Sequence, residues 1–237
     1  MSIDNKPFTK VDIENYLKEL GKELKKRGHG TPMEIILVGG ASILVNYDFR
    51  LSSYDIDAYY AKASIMKECI NAVGDKFGLP NGWVNDDFMK TSSFTPKIIE
   101  YSKYYQKFSG VLTVRTIKAE YLVAMKLVSG RKYKKDLSDV AGIIYEQQLA
   151  GAPITYEMID RAVVELYGDW SRISDDSKDM LNKILSCDDM KVIFDELSQY
   201  ETDAKDILAN ISNKYPDVVN RDNIDDVIAV AMKKKSK

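Results

Sequence analysis

The feature that most constrains this chain is an apolar run that stops abruptly at two glycines. Ile35–Val38 is long enough for a buried strand, and Gly39 and Gly40 follow it directly. Because glycine accepts backbone angles that other residues avoid, this pattern predicts a strand that ends in a tight turn. The small residues Ala41 and Ser42 then predict the start of a helix.

The predicted turn is suited to bind phosphate. The first amide groups of a helix have no partner within the helix, and the helix dipole is positive at that end. Gly39 and Gly40 would bring backbone amides to the ligand, and the hydroxyl of Ser42 would add a further donor. These three residues form the predicted nucleotide-binding turn.

A pair of acidic residues, Asp55 and Asp57, follows the turn in a strand-like segment. Alternate side chains of a strand point to the same face, so both carboxylates should lie together while Ile56 turns into the core. A hard divalent cation would relieve their repulsion, and Mg²⁺ commonly takes one or two carboxylates together with phosphate oxygens of a substrate. We therefore expect Asp55 and Asp57 to be metal ligands that share one nucleotide with the turn.

Each half of this pattern also has a simpler interpretation. A glycine pair is most often only a turn, and two acids at the edge of a strand are usually solvated surface. Their combination, in this order and in neighbouring segments, favours the functional interpretation.

A second candidate group lies around a lysine in an apolar helix. The segment Glu120–Arg131 is apolar on nearly all sides, which predicts a buried helix interrupted by Lys126. A buried ammonium group needs a carboxylate or a phosphate as its partner, and Asp136 and Asp139 follow on the next predicted helix. Two interpretations stay open: Lys126 contacts nucleotide phosphates, or it reaches the surface or forms an ion pair between two helices.

Composition and charge argue against several other functions. The 237 residues carry a net charge of −2, so no overall basic field attracts nucleic acid. His29 is the one histidine, which argues against catalytic histidine pairs and histidine-based zinc sites. The two cysteines lie outside any metal-ligand spacing. Because no apolar segment approaches membrane-spanning length, we expect a cytoplasmic protein with no membrane partner.

The glycine turn followed by D-x-D resembles the signature of the nucleotidyltransferase superfamily with a polymerase-β-like core. Within that superfamily the sequence is most similar to AbiEii-type toxins and related bacterial proteins, which carry an A-x-K-L-x-x-x-R helix before a D-x-x-D helix. Lys126 and Arg131 match the first motif, and Asp136 and Asp139 match the second. The resemblance implies that Lys126 and Arg131 contact nucleotide phosphates and that Asp136 belongs to the catalytic site.

The resemblance also implies an α/β (α+β) fold. We expect a polymerase-β-like nucleotidyltransferase core with a small mixed sheet in a domain over residues 1–150. A C-terminal helical bundle over residues 151–237 should follow, because the pattern there is helical. Within the core, Thr9 and Asp12 predict the cap of a first helix, and Lys97–Tyr105 and Val111–Arg115 predict two further strands.

By resemblance, the protein is a Mg²⁺-dependent nucleotidyltransferase that moves a nucleoside monophosphate from an NTP to a hydroxyl of tRNA or protein. The same resemblance implies the toxin of a toxin–antitoxin or phage-defence pair, with a cognate antitoxin as partner. An antibiotic-modifying transferase would share the turn and D-x-D.

One departure from the family pattern concerns a third carboxylate, which such enzymes commonly carry on a later strand. Glu100 lies in a strand-like run, whereas Asp86 and Asp87 lie in a polar loop, and none of them stands clearly in that position. The alternative is therefore a catalytically degenerate domain that binds a nucleotide or another protein without turnover.

Overall fold

The computed structural model describes residues 6–61, 63–131, 133–215, 218–220 and 223–235. These residues form two compact units. The first contains the described residues up to Met125 together with Ile154–Arg172, and the second contains Lys126–Pro153 and the described residues from Ile173 onward. Our division of the chain into domains at residue 150 stays a prediction.

The first unit contains a mixed five-stranded sheet in its described part. The strands are β1 (Met33–Leu37), β2 (Ile56–Tyr60), β3 (Val84–Asn85), β4 (Ser102–Phe108) and β5 (Leu112–Ile117), in the spatial order β3-β2-β1-β5-β4. Strand β1 is antiparallel to β2 and parallel to β5, while β3 runs parallel to β2 and β4 antiparallel to β5. The predicted α+β fold with a small mixed sheet is confirmed.

Helices make up most of the remaining described chain. They are α1 (Lys10–Arg27), α2 (Gly39–Asn46), α3 (Ser64–Phe77), α4 (Ala119–Ser129), α5 (Asp136–Leu149), α6 (Tyr156–Tyr167), α7 (Asp175–Leu185), α8 (Met190–Lys214) and α9 (Ile224–Lys235). Among the described residues, no helix has both the length and the apolar character needed to cross a membrane.

Helix α1 begins at the predicted cap. The Thr9 hydroxyl accepts the backbone N–H of Asp12, and the Asp12 carboxylate accepts the backbone N–H of Thr9 at 2.9 Å. This reciprocal arrangement satisfies amides at the helix start that otherwise have no partner. The buried face of α1 joins the core of the first unit through Ile13, Leu17, Leu20 and Leu24. The sheet beneath it holds the glycine turn and the acidic strand.

The strand predicted over Lys97–Tyr105 begins later in the structure. Pro96–Ile99 forms a short 3-10 helix, and β4 starts only at Ser102. The Thr95 side chain accepts the backbone N–H of Lys97, and Pro96 is suited to the first turn of a helix, so local capping prevails over β propensity. Glu100 is consequently exposed at the end of this 3-10 helix and does not lie in a strand.

A buried tryptophan places β3 beside β2. The Trp83 indole N–H donates to the carbonyl of Ile70 at 3.0 Å, and the Trp83 carbonyl accepts the N–H of Ile56 at 2.8 Å. With this anchor, the register pairs Asn85 with Asp57. The polar loop after Trp83 therefore starts next to the D-x-D segment.

In the second unit, Glu201 of α8 caps the N-terminus of α5. One oxygen of the buried Glu201 carboxyl accepts the N–H groups of Leu137 at 3.0 Å and Ser138 at 3.3 Å. Burial raises the pKa of Glu201 to about 7; the nearby Asp139 adds to this rise, while the hydrogen bonds oppose it. The cap fixes the start of the helix that carries Asp136 and Asp139.

The substitution Glu201→Gln should remove a pH dependence of stability. Folding raises the pKa of the Glu201 carboxyl from 4.5 to about 7. The protonated carboxyl therefore contributes fully to the free energy of unfolding below pH 4.5, and this contribution is lost as the pH rises through about 7. Glutamine keeps the accepting oxygen and carries no charge.

The free energy of unfolding, measured with urea at several pH values, should show the difference. Between about pH 4 and about pH 8, the free energy of unfolding of the wild type should fall by on the order of 3 kcal/mol relative to that of Glu201→Gln. A difference between the two proteins that does not vary with pH would contradict the assignment.

Candidate functional site

The glycine turn directly contacts the acidic strand. The backbone N–H of Val38 donates to the carbonyl of Asp57 at 2.9 Å, which ties the end of β1 to β2. Gly39 has a φ of 52°, a left-handed conformation that favours glycine. A β-carbon at Gly39 would lie 3.5 Å from Oδ2 of Asp57. The structure therefore brings together the turn and one acid of the D-x-D pair.

Position 40 is a glycine for a different reason, because the φ of Gly40 is not positive. A β-carbon there would lie 2.7 Å from Nη2 of Arg50 and 3.0 Å from Oγ of Ser53. Sequence analysis missed Arg50, although it lies in the segment between the turn and the acids. The structure places its guanidinium group against the turn.

The hydroxyl of Ser42 contacts β5. The side chain is fully buried, and its Oγ accepts the backbone N–H of Ile117 at 3.3 Å. Two positions after Gly40, the first turn of α2 has rotated this side chain towards β5. The hydroxyl joins α2 to β5, and its contact with phosphate stays a prediction.

Asp55 lies one residue before β2 and is half-buried. Its Oδ2 accepts a long hydrogen bond of 3.4 Å from Nδ2 of Asn85, which also donates to the carbonyl of Gly82 at 3.2 Å. The other end of the Asn85 amide accepts the N–H of Asp87 at 2.9 Å. An amide on the strand next to β2 thus lies beside Asp55. In the sequence, the only signal for this role of Asn85 is its position two residues after Trp83.

The other loop acids have different surroundings. Asp86 is half-buried, whereas Asp87 is exposed and pairs with Lys90 at 2.6 Å. Among the described residues, no group of three or more histidine, cysteine or acidic side chains is arranged to hold a metal ion. The carboxylate at the turn is that of Asp57, and Asp55 lies two residues before it in the chain. Two carboxylates are the kind of oxygen donors that fit a Mg²⁺ ion sharing phosphate oxygens with a substrate.

The second candidate group lies in the second unit, and the structure brings its members together. Nζ of Lys126 lies 2.8 Å from Oδ1 of Asp136 and 2.8 Å from Oδ2 of Asp139. Arg131 donates to both oxygens of Asp136, from Nε at 2.7 Å and from Nη2 at 3.2 Å. Sequence analysis anticipated these carboxylate partners for the buried lysine.

The two cations of this group stabilise the ionised form of Asp136. Burial would raise the pKa of Asp136, but the charges of Lys126 and Arg131 outweigh burial and hold that pKa well below its usual range. Asp136 is fully buried, while Arg131 is more exposed, with a side-chain exposed fraction of 38%. The ion pair is therefore present, and contact of Lys126 or Arg131 with phosphate stays a prediction.

The mixed sheet and its flanking helices carry the glycine turn and the acids in the order that the sequence predicts. The model of the family described as "Nucleotidyltransferase of unknown function (DUF6036)" matches residues 15–151, which is more than half of the chain. The chain therefore belongs to this family. The matched region includes both candidate groups. No curated protein and no solved structure matches the chain.

Lys126→Met should destabilise the protein by about 3–5 kcal/mol, because it removes the cation that lies between two buried carboxylates. Adding Asp139→Asn should restore part of this loss, since it removes one of the two buried negative charges while Asp136 keeps Arg131. Urea unfolding of the wild type and of both variants measures the effect. A Lys126→Met variant as stable as the wild type would contradict the ion-pair assignment.

Proposed function

We propose that this protein is a Mg²⁺-dependent nucleotidyltransferase that transfers a nucleoside monophosphate from an NTP to a hydroxyl of tRNA or protein. The proposal is carried by the contact between the turn and the acidic strand, where Asp57 Oδ2 approaches the Gly39 β-carbon position to 3.5 Å. A phosphate bound by amides of the turn would lie beside a carboxylate, an arrangement that calls for a cation between them. Membership of a nucleotidyltransferase family supports the reaction class.

The residues of the first unit would hold and orient the reactants. The amides of Gly39 and Gly40 would bind the phosphate tail, and the carboxylates of Asp55 and Asp57 would hold the metal. When bound, Mg²⁺ would neutralise phosphate charge in the transition state. The acceptor oxygen would bond to the α-phosphorus as the bond to the leaving pyrophosphate breaks, and the hydroxyl proton would leave to solvent. Most of the rate gain would come from position and charge.

The second candidate group contains two cations. We propose that Lys126 and Arg131 contact nucleotide phosphates and that Asp136 orients both of them. A guanidinium has five donors and an ammonium three, so donors to Asp136 need not exhaust either side chain. Asp136, held fully buried by α5, would then determine where the remaining donors point.

The biological role that we propose follows the resemblance to AbiEii-type toxins. The protein would be the toxin of a toxin–antitoxin or phage-defence pair, would act in the cytoplasm, and would bind a cognate antitoxin. This role rests on the similarity of the glycine turn, the D-x-D pair and the Lys126 and Asp136 motifs to that family.

A second candidate function is favoured by the Asn85 amide. It lies beside Asp55, and none of Glu100, Asp86 and Asp87 stands clearly in the position of the third carboxylate that such transferases commonly carry on a later strand. A protein with only two acids could bind a nucleotide, or another protein, without transferring anything.

An assay with each radiolabelled NTP, Mg²⁺ and total tRNA or cell protein should separate the two candidates. The wild type should transfer label, and Asp55→Asn and Asp57→Asn should each reduce transfer by about 100-fold or more, because each removes charge from the metal site. Asp75→Asn, which changes an exposed acid of α3, is the matched control and should keep the activity.

Nucleotide binding by the wild type decides between the two candidate functions if no label is transferred. Nucleotide binding without transfer by the wild type would support the degenerate module. If no Mg²⁺–NTP raised the melting temperature, both nucleotide proposals would be wrong, because a ligand of the native state must stabilise it.

A further inference from the structure

We propose that Arg50 is a further substrate-binding residue, whose guanidinium group binds the phosphate tail beside the Gly39–Gly40 turn. This inference rests on the proposed function and deepens it, because it assigns a side chain to the phosphate half of the same site.

The first observation is the contact between Arg50 and Gly40. A β-carbon at Gly40 would lie 2.7 Å from Nη2 and 3.1 Å from Cζ of Arg50, so the guanidinium occupies the space of the missing side chain. Gly40 has no positive φ that would require glycine. The glycine is therefore explained by the close approach of this cation to the backbone.

The second observation is the division of charge along the turn. Asp57 lies against Gly39, whereas Arg50 lies against Gly40. No acidic residue of α2 lies in its own first turn, where it would compete with a bound anion. The turn thus has a carboxylate against one glycine and a guanidinium against the next, which suit a metal ion and a phosphate respectively.

The third observation is that the segment holding Arg50 is anchored. Ser53 pairs with Phe8 through two backbone hydrogen bonds, from Ser53 N–H at 2.9 Å and from Phe8 N–H at 2.6 Å. The Oγ of Ser53, like the guanidinium, lies against Gly40. Arg50 itself is half-buried. An arginine held in this way loses less conformational freedom when it binds a ligand.

The chemistry of arginine suits this place. Its planar group presents five donors and can bind two phosphate oxygens at once, which a lysine cannot do. With five donors, a guanidinium can contact the protein and a phosphate at the same time. Bound there, the guanidinium would stabilise the negative charge that develops on the leaving pyrophosphate.

The experiment measures binding of inorganic triphosphate with Mg²⁺ by calorimetry, which tests the phosphate half without a base. Arg50→Gln should weaken binding by about 10-fold or more, and Arg50→Lys should recover only part of the loss. Arg161→Gln, which removes an exposed arginine of α6, is the matched control and should bind as the wild type does.

Gly40→Ala supplies an independent variant. The variant keeps the backbone amide, and its new β-carbon displaces the flexible end of Arg50 and requires a small shift of the Ser53 hydroxyl, so the fold should persist while the affinity falls. The double variant Gly40→Ala/Arg50→Gln should bind no more weakly than Arg50→Gln alone, because both changes act through one guanidinium. If Arg50→Gln does not fold, Arg50→Lys and Gly40→Ala decide the question.

Two results would overturn the inference. One is unchanged affinity in Arg50→Gln, or in both other variants, which would leave Arg50 with only a structural role. The other is a full additive loss in the double variant. If the wild type itself bound neither triphosphate nor NTP, the proposed function would fail as well, so the two failures are distinguishable.

Discussion

The close approach of the Gly39–Gly40 turn to β2 is the constraint on which the candidate site depends. The Val38–Asp57 backbone bond closes that approach, and a β-carbon at Gly40 would require its neighbours to shift. A side chain at Gly39 would contact an acid, and one at Gly40 would displace Arg50. The two glycines therefore have separate physical reasons, one a left-handed φ and the other a neighbouring cation. The two glycines thus allow the Asp57 carboxylate and the Arg50 guanidinium to approach the same turn, where we propose that metal and phosphate bind.

Features encoded by local patterns could be predicted from the sequence. The strand, turn and helix around Gly39 and the capping box at Thr9 follow from backbone preferences and short-range hydrogen bonds. The carboxylate partners of Lys126 could also be predicted, because a buried ammonium needs them and Asp136 and Asp139 come next in the chain. The mixed sheet was accessible only through resemblance to a known family, which the family match supports.

Features decided by distant contacts could not be predicted. The hydroxyl of Ser42 meets β5, and the cap of α5 comes from Glu201 on α8; neither partner is adjacent in sequence. Asn85 reaches Asp55 because the buried Trp83 anchors a strand of only two residues, too short for any periodicity to reveal. Arg50 belongs to an irregular loop, and no local sequence pattern indicates that its guanidinium lies against Gly40. Tertiary packing places these side chains, whereas local propensity does not.

A crystal structure with Mn²⁺ and a non-hydrolysable NTP analogue tests the central claim most directly. Manganese substitutes for magnesium at oxygen ligands and is located by its anomalous scattering. The account predicts a manganese ion bound by the carboxylates of Asp55 and Asp57, with phosphate oxygens of the same nucleotide at the amides of Gly39 and Gly40. A nucleotide bound away from the turn, or a manganese ion away from Asp57, would contradict it.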